Sequence, residues 1–353
     1  MALPFLSTQA RRRDQIVAID LGARTTKAVH LQRKGAGFSI LSYALQDAPA
    51  YEKNLSRELL GEHLGAVSQA LGSRCKQVTL VLGVGDSLLR RAEMPVVPVA
   101  DMRIMLKFNS KNYLQQDLPD YAFDCFILPS SLGAKPDATR QNQKCQVLIG
   151  GARRQMLDDL HAAAKIAGLV PEQIVPGLIG PPNAFELALP DVFAKEPVAL
   201  VDIGFKNSSI SILLNGELIL SRVVGVGGDR FTNGVAEALG VSYAEAEGIK
   251  VGLPDEVQPT MVTLLSPLGR ELRASVDFFE HQQDRPVTQI FVSGGSARSD
   301  YIVQILQTEL MVPCTVWNPA GFLNMALPPQ QMGGLEQAAP QLSVAVGAAL
   351  AAL

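Results

Sequence analysis

Residues 16–27 read IVAIDLGARTTK, and residues 198–209 read VALVDIGFKNSS. In both stretches an apolar strand pattern runs into Asp-x-Gly and a small polar turn, and a second extended run follows. The glycines Gly22 and Gly204 let backbone N–H groups approach an anion, because no Cβ intervenes. Asp20 and Asp202 lie where each could hold Mg²⁺ through water. This duplicated hairpin predicts a cleft between two halves that wraps the phosphates of one nucleotide.

The composition is that of a globular protein with room for two domains, since 47% of its 353 residues are hydrophobic and 18% are charged. A net charge of −3 provides no overall field that favours nucleic acid or anionic lipid. The four cysteines are far apart and form no Cys-x-x-Cys pair, which argues against a zinc or redox motif. Neither end carries an apolar run long enough for a signal sequence or a membrane span. We therefore expect a cytoplasmic protein.

The similarity between the two halves extends beyond the Asp-x-Gly motifs. In the first half, strand patterns at 16–21, 28–31 and 38–43 precede a helix with apolar residues at helical spacing, and a buried strand follows at 78–82. In the second half, three strand patterns between residues 198 and 224 precede a helix at about 229–239. A repeat of a whole supersecondary unit makes coincidence a poor explanation.

An additional module separates the two halves. Two prolines in residues 94–98 mark its expected start, and a helix follows. Two strands, near 121–128 and 144–150, flank the polar stretch 130–143, which predicts a loop. A second helix is expected over about 156–167. These elements predict a small α+β subdomain inserted into the first domain.

The second half ends in a glycine turn and an alanine-rich tail. After a crossover helix expected at about 183–189, a strand at 289–293 runs into Gly294-Gly295. The tail from Gln341 is rich in alanine, and we expect it to form a helix that packs back on the first domain.

Taken together, these features resemble the actin-like ATPase superfamily, which has a duplicated strand–helix unit, two Asp-Gly phosphate hairpins and a Gly-Gly turn at the adenosine. Within it the chain is similar to the PilM family of type IV pilus assembly and to the cell-division protein FtsA. Further segments that carry the resemblance are VGGDRFT at 226–232, YAEAEGIK at 243–250, ELRASVDFF at 271–279 and SVAVGAAL at 343–350. The resemblance implies an α/β, actin-like (ribonuclease H-like duplicated) two-domain fold with an inserted α+β subdomain in domain one. The expected divisions are 14–93 for the first part of domain I, 94–170 for the inserted subdomain, 171–196 for the return to domain I and crossover, 197–334 for domain II, and 335–353 for the C-terminal helix returning to domain I.

By this resemblance, ATP or ADP binds between the domains with Mg²⁺. Asp20 and Asp202 would hold the metal through water, and Glu247 and Lys250, which share one helix face, would line the ribose and adenine. An exposed ion pair is the alternative for Glu247 and Lys250, and a solvated helix start is the alternative to adenine stacking for Arg298. The implied nucleotide-binding residues are Asp20, Gly22, Ala23, Arg24, Thr25, Lys27, Asp202, Gly204, Asn207, Ser208, Gly227, Gly228, Glu247, Lys250, Gly294, Gly295, Ser296 and Arg298.

Both phosphate turns depart from the pattern of the superfamily. The first turn has Ala23 and Arg24 where small hydroxylated residues are usual, and the second has Phe205 and Lys206, which would narrow the approach. No residue stands out as a water-activating base. We therefore expect ATP binding with at most slow hydrolysis, and a degenerate site is the alternative.

The resemblance implies a scaffold that lies beneath the inner membrane and binds the cytoplasmic N-terminal tail of a PilN-like membrane protein in a groove of domain one and its insert. Met102, Met105 and Phe108 predict either a peptide-binding face or a core stripe. Self-association is left open. The alternatives are an FtsA-like cell-division scaffold and a small-molecule kinase of the sugar-kinase branch. The chain ends without the basic or aromatic anchors of a membrane-binding amphipathic helix, which argues against the first.

Overall fold

The computed structural model describes residues 14–49, 56–129, 143–252 and 257–353. The residues before Asp14 and nearly all of the expected polar loop at 130–143 lie outside these ranges. In chain order the strands are β1 (Gln15–Leu21), β2 (Thr25–Lys34), β3 (Gly37–Asp47), β4 (Gln77–Leu82), β5 (Ser87–Pro95), β6 (Tyr121–Ile127), β7 (Lys144–Arg153), β8 (Val170–Pro176), β9 (Val198–Ile203), β10 (Ser208–Leu214), β11 (Glu217–Val224), β12 (Gln289–Ser293), β13 (Cys314–Val316) and β14 (Asn324–Met325). The α-helices are α1 (Arg57–Leu71), α2 (Val99–Leu114), α3 (Arg154–Ile166), α4 (Gly180–Ala188), α5 (Pro190–Lys195), α6 (Gly228–Leu239), α7 (Tyr243–Gly252), α8 (Gln258–Gln283), α9 (Asp300–Leu310), α10 (Pro329–Met332), α11 (Leu335–Ala338) and α12 (Ser343–Ala352).

The strands form three sheets, two of which share one local pattern. The six-stranded sheet has the order β14-β3-β2-β1-β4-β8, and the five-stranded sheet has the order β11-β10-β9-β12-β13. In each, an antiparallel meander (β1-β2-β3 or β9-β10-β11) is joined by a parallel strand, β4 beside β1 and β12 beside β9. We call the first sheet with its helices the first lobe and the second sheet with its helices the second lobe. The duplicated unit predicted from the sequence is confirmed, and so is the actin-like fold class.

Local chemistry explains why these segments form their elements. Helix α1 begins after Ser56, whose side chain accepts a hydrogen bond from the Leu59 amide at 3.1 Å, and it ends at Gly72 in the left-handed conformation. Its apolar residues Leu60, Leu64, Val67 and Leu71 are buried against the first sheet. Strand β10 is buried along its whole length. Helices of the second lobe cover one of its faces, and an apolar core with residues from both lobes covers the other.

The third sheet belongs to the inserted module and has the order β5-β7-β6. Strand β5 is a difference from the sequence expectation, which placed no strand between the one at 78–82 and residue 94. Its two adjacent arginines, Arg90 and Arg91, hide the alternation of a strand, and pairing with β7 supplies the stabilisation. The sheet pairing would start the insert near Ser87, whereas the division into domains stays a prediction.

The chain crosses between the lobes several times. Helix α12 packs against α4 and against β1 and β2 of the first lobe, and the short strand β14 pairs with β3. Strand β8, which the sequence did not predict, carries two prolines and lies at the edge of its sheet, where a missing N–H is tolerated. Among the described residues, no helix is both long and apolar enough to cross a membrane.

Candidate nucleotide site

The first turn is closed by its glycine and a buried ion pair. The Gly22 amide donates to the Asp20 carbonyl oxygen at 3.0 Å. A Cβ on Gly22 would lie 2.5 Å from the Thr25 carbonyl oxygen and 2.6 Å from the Lys27 Nζ, so no larger residue fits. Lys27 Nζ donates to Asp20 Oδ2 at 3.0 Å, and both side chains are largely buried. The hairpin therefore places an ammonium and a carboxylate side by side at the end of β1.

The second turn holds its carboxylate in a different way. Asp202 Oδ2 accepts hydrogen bonds from Ser293 Oγ at 2.8 Å and from Ser343 Oγ at 2.7 Å. Ser293 ends β12 directly before the Gly294 turn, and Ser343 begins α12. One carboxylate thus ties together three segments that lie about 50 to 140 residues apart in the sequence.

The two turns also interact electrostatically. Burial opposes the charged form of Lys27, but the carboxylates of Asp20 and Asp202 outweigh it and raise the pKa of Lys27. Burial raises the pKa of Asp202, while hydrogen bonds from Ser343 and Ser293 and the charge of Lys27 act against that rise. The charge of Lys27 therefore acts on the aspartates of both Asp-x-Gly motifs, so the two turns lie near each other.

Glycines also permit the close approach of the second turn and α6. A Cβ on Gly204 would lie 2.6 Å from the Asn207 carbonyl oxygen, and one on Gly227 would lie 2.4 Å from the Phe205 carbonyl oxygen. The amides of Gly228 and Asp229 donate to the carbonyl oxygens of Gly204 and Phe205, both at 2.9 Å. The first residues of α6 are therefore bonded to the turn, which fixes its shape.

Several backbone amides of the two turns are left available. The amides of Gly22 and Gly204 are used inside their own turns, the latter by donating to the Asn207 carbonyl oxygen at 3.1 Å. Within the described ranges, no hydrogen bond donated by the amides of Ala23, Arg24, Phe205 or Lys206 is found. Adjacent free amides in a turn are donors for an anion. The residues after each glycine, rather than the glycine itself, would contact a phosphate.

Glu247 and Lys250 form the expected pair on one face of α7. Lys250 Nζ donates to Glu247 Oε2 at 2.8 Å, and the Thr232 hydroxyl of α6 bridges them, donating to Glu247 at 2.5 Å and accepting from Lys250 at 2.9 Å. Burial opposes ionisation of Glu247, but these hydrogen bonds and the positive charges of Lys250 and Arg24 outweigh it and lower the pKa of Glu247. Burial lowers the pKa of Lys250. Lys250 is buried, so the pair is not simply a solvated surface ion pair.

Arg24 reaches from the first turn into the second lobe. Its Nη1 lies 3.3 Å from Glu247 Oε2, and its guanidinium carbon lies 5.4 Å from the ring centroid of Phe205 and 5.9 Å from that of Tyr243. The two bulky departures from the family pattern, Arg24 and Phe205, are thus in contact with each other. Lys206 is exposed, and its charge acts on Asp86 in the turn between β4 and β5.

The third glycine turn lies beside the second. Gly294 has φ +94°, and a Cβ there would lie 2.4 Å from the Ile203 carbonyl oxygen, so both the conformation and the space require glycine. A Cβ on Gly228 would lie 2.7 Å from Ser296 Oγ and 3.6 Å from Lys250 Nζ, which places these three predicted residues together. Arg298 is exposed at the end of the turn.

Sequence reasoning missed several residues of this site. Ser293, Ser343 and Thr232 hydrogen-bond to the predicted carboxylates, and Tyr243 contacts Arg24. Ser293 could have been suspected from its place before Gly294. Thr232, Tyr243 and Ser343 lie in segments that carry the family resemblance, but no local pattern marks them as partners of these side chains. Their role depends on contacts between distant segments.

Comparison with known proteins supports the same fold. The family model described as type IV pilus assembly protein PilM matches residues 18–353. A solved PilM–PilN type IV pilus biogenesis complex has a chain that is 21% identical, with a TM-score of 0.80 over 97% of this chain and 99% of that chain. MreB5 of Spiroplasma citri, solved bound to ADP, is 10% identical, with a TM-score of 0.53 over 96% of this chain and 95% of that chain.

A more limited similarity is to a cell-division protein. FtsA of Bacillus subtilis (strain 168) is 28% identical over 130 residues, which are 36% of this chain and 27% of FtsA. The match therefore spans about a quarter of the length of FtsA, whereas the PilM model covers almost all of this chain. The chain belongs to the PilM family of type IV pilus assembly proteins.

Proposed function

We propose that this chain is a nucleotide-binding scaffold of type IV pilus assembly, with ATP or ADP held between the lobes. The supporting observation is that two turns with unused amides lie close together: Lys27 pairs with Asp20 at 3.0 Å in the first turn, and the guanidinium of Arg24 from that turn lies 5.4 Å from the ring of Phe205 in the second. The tight space around Gly22, Gly204 and Gly294 supports this proposal, because each glycine lies where a Cβ would collide with backbone. The fold is shared with MreB5, which was solved with ADP bound.

The donor set fits Mg²⁺ only with the help of phosphate and water. In the part of the chain that the structure describes, no three metal-ligating side chains come together. One oxygen of Asp20 is paired with Lys27, and one oxygen of Asp202 accepts from two serines. Mg²⁺ keeps several waters and binds one or two carboxylates together with substrate phosphates. Asp20 and Asp202 would hold the ion in that way, and the ion would screen phosphate charge.

Titration calorimetry with ATP and Mg²⁺ tests the nucleotide site. Asp20→Ala and Asp202→Ala should each weaken binding at least tenfold, on the order of 1.4 kcal/mol, because each removes a metal-water ligand. Asp191→Ala, which changes an exposed aspartate of α5 paired with Lys195, is the matched control and should bind as the unmodified protein does. Unchanged affinity in both cleft variants would refute the site.

We further propose that the partner is the cytoplasmic N-terminal tail of a PilN-like inner-membrane protein, which would keep this chain at the membrane. The similarity to the solved PilM–PilN complex supports this partner. In the insert, Met102 is buried and Met105 packs partly on the core, whereas Phe108 is 71% exposed and Ile104 55% exposed. Met102 is therefore core, and an apolar surface is left on α2 at Ile104 and Phe108.

Contacts between the second lobe and the insert support coupling of nucleotide to partner. A Cβ on Gly85 would lie 2.9 Å from Asn207 Nδ2, so the second turn packs on the turn that leads into β5. Arg91 Nη1 of β5 lies 3.6 Å from Glu217 Oε2 of β11. A movement between the lobes would therefore change the contacts that hold the insert against the second lobe.

A synthetic peptide tests the partner. The peptide is the cytoplasmic N-terminal segment of a PilN-like inner-membrane protein, and a scrambled peptide of the same composition is the control. Binding should raise the melting temperature, and the rise should grow with the logarithm of the peptide concentration once that concentration exceeds the Kd. No shift with the native peptide would argue against this partner, while the nucleotide titration would be unaffected.

A further inference from the structure

The side chain of Arg24 reaches from the first turn to the second. Arg24 belongs to the first turn, where its carbonyl oxygen accepts from the Ala48 amide at 2.8 Å, so its backbone is fixed to the first lobe. Its guanidinium lies in the second lobe, 3.3 Å from Glu247 and stacked near Phe205. The side chain is 43% exposed, which leaves it free to exchange this position for solvent.

The receiving site is held in place by the second lobe alone. Glu247 accepts hydrogen bonds from Thr232 and Lys250. The Tyr243 hydroxyl donates to Asp229 Oδ1 at 3.0 Å, which fixes the second ring near Arg24. The Phe205 carbonyl oxygen accepts from the Asp229 amide at 2.9 Å. A carboxylate and two aromatic rings are thus preorganised for a cation. The guanidinium of Arg24 can pair with the carboxylate and lie near both rings at the same time.

We propose that Arg24 is a latch that holds the two lobes together beside the nucleotide site. The proposal rests on the proposed nucleotide function only in that entry and exit of a nucleotide would require the latch to open. The Glu247 carboxylate attracts the guanidinium, and the Phe205 and Tyr243 rings favour its flat cation over an ammonium. Removal of the Arg24 side chain should raise the ratio of open to closed molecules about tenfold.

The distance between the lobes, measured by electron-spin resonance without nucleotide, tests the latch. Spin labels are placed on Glu62→Cys of α1 and Glu237→Cys of α6, both exposed, in a Cys75→Ser background. Arg24→Ala should move a large part of the distribution to longer distances. Arg24→Lys keeps the charge but loses the flat stacking surface, and it should give an intermediate distribution.

The matched control is Arg222→Ala. Arg222 pairs with Glu271 within the second lobe at 2.9 Å and is exposed to a similar degree as Arg24. It should leave the distance distribution unchanged. An Arg24→Ala distribution identical to that of the unmodified protein would overturn the latch.

Stopped-flow binding of a fluorescent ATP analogue separates the latch from direct phosphate binding. The analogue should associate faster with Arg24→Ala than with the unmodified protein, because more molecules of the variant are open. Weaker binding with unchanged lobe distances would instead make Arg24 a phosphate ligand and overturn the latch, while the proposed nucleotide site would stand. If the unmodified protein binds no nucleotide, the proposed function fails, and the distance measurement still decides the latch.

Discussion

The buried ion pair of Lys27 and Asp20 makes a sharp prediction about stability. Lys27→Met keeps the length and much of the apolar stem of the side chain but removes its charge. Asp20, only 7% exposed at its side chain, then loses the ammonium 3.0 Å away, and its charge also faces Asp202 without compensation. Removal of one partner of a buried pair costs about 3–5 kcal/mol, and the 18% exposure of Lys27 points to the lower end, about 3 kcal/mol.

A double substitution identifies the cause of that loss. Asp20→Asn alone should cost about 1–2 kcal/mol, because an amide can still accept a hydrogen bond from Lys27. In the double variant, no charge of the pair is left uncompensated, so Asp20→Asn should recover part of the stability that Lys27→Met removes. The effect of the two substitutions together should therefore be smaller than their sum.

Urea denaturation followed by the fluorescence of Trp317 measures these free energies of unfolding. Trp317 is the single tryptophan of the chain and is buried, with its ring against that of Phe185. Lys195→Met is the matched control, since Lys195 pairs with Asp191 on an exposed helix face. The reasoning is refuted if Lys27→Met is no more destabilising than Lys195→Met, or if the double variant equals the sum of the single ones.

Three further predictions concern the turns. Gly227→Ala should reduce the free energy of unfolding by on the order of 2 kcal/mol and lower the melting temperature by several degrees, because its Cβ would lie 2.4 Å from a backbone oxygen. Gly225 has open space around it, so Gly225→Ala should leave the melting temperature unchanged. The pKa of Glu247 is lowered in the folded state, so the charged carboxylate stabilises the fold above its unfolded pKa near 4.5. That stabilisation should be lost as the pH falls through the folded pKa. Melting curves between pH 7 and 3 should therefore show a smaller loss of stability on acidification for Glu247→Gln than for the unmodified protein. Ser343→Ala should raise the pKa of Asp202 further, because the carboxylate loses a hydrogen bond that favours its charged form. In a pH series of Mg²⁺-dependent ATP titrations, binding should therefore begin to weaken at a higher pH than in the unmodified protein. An unchanged pH profile would contradict this prediction.

Much of the fold could be predicted because the relevant patterns are local. Continuous apolar runs mark β1, β9 and β12, because a strand in the middle of a covered sheet needs apolar residues on both faces. That requirement is visible in the sequence of the strand itself. Strands β5 and β8 were missed because arginines in one and prolines in the other hide the pattern, and pairing with neighbouring strands overrides it. Helix α8 is longer than the segment recognised from 271–279 and contains Pro267, which a local reading treats as a break.

What the sequence by itself determined is the repeated unit and the identity of the groups at each turn, because the Asp, the Gly and the strand before them are adjacent in the chain. Only the tertiary structure decided how those groups are used. Ser343 binds Asp202 from 141 residues away, and Arg24 reaches Glu247 from the other lobe. Such contacts depend on how two sheets and a returning helix pack, and no spacing along the chain records that geometry.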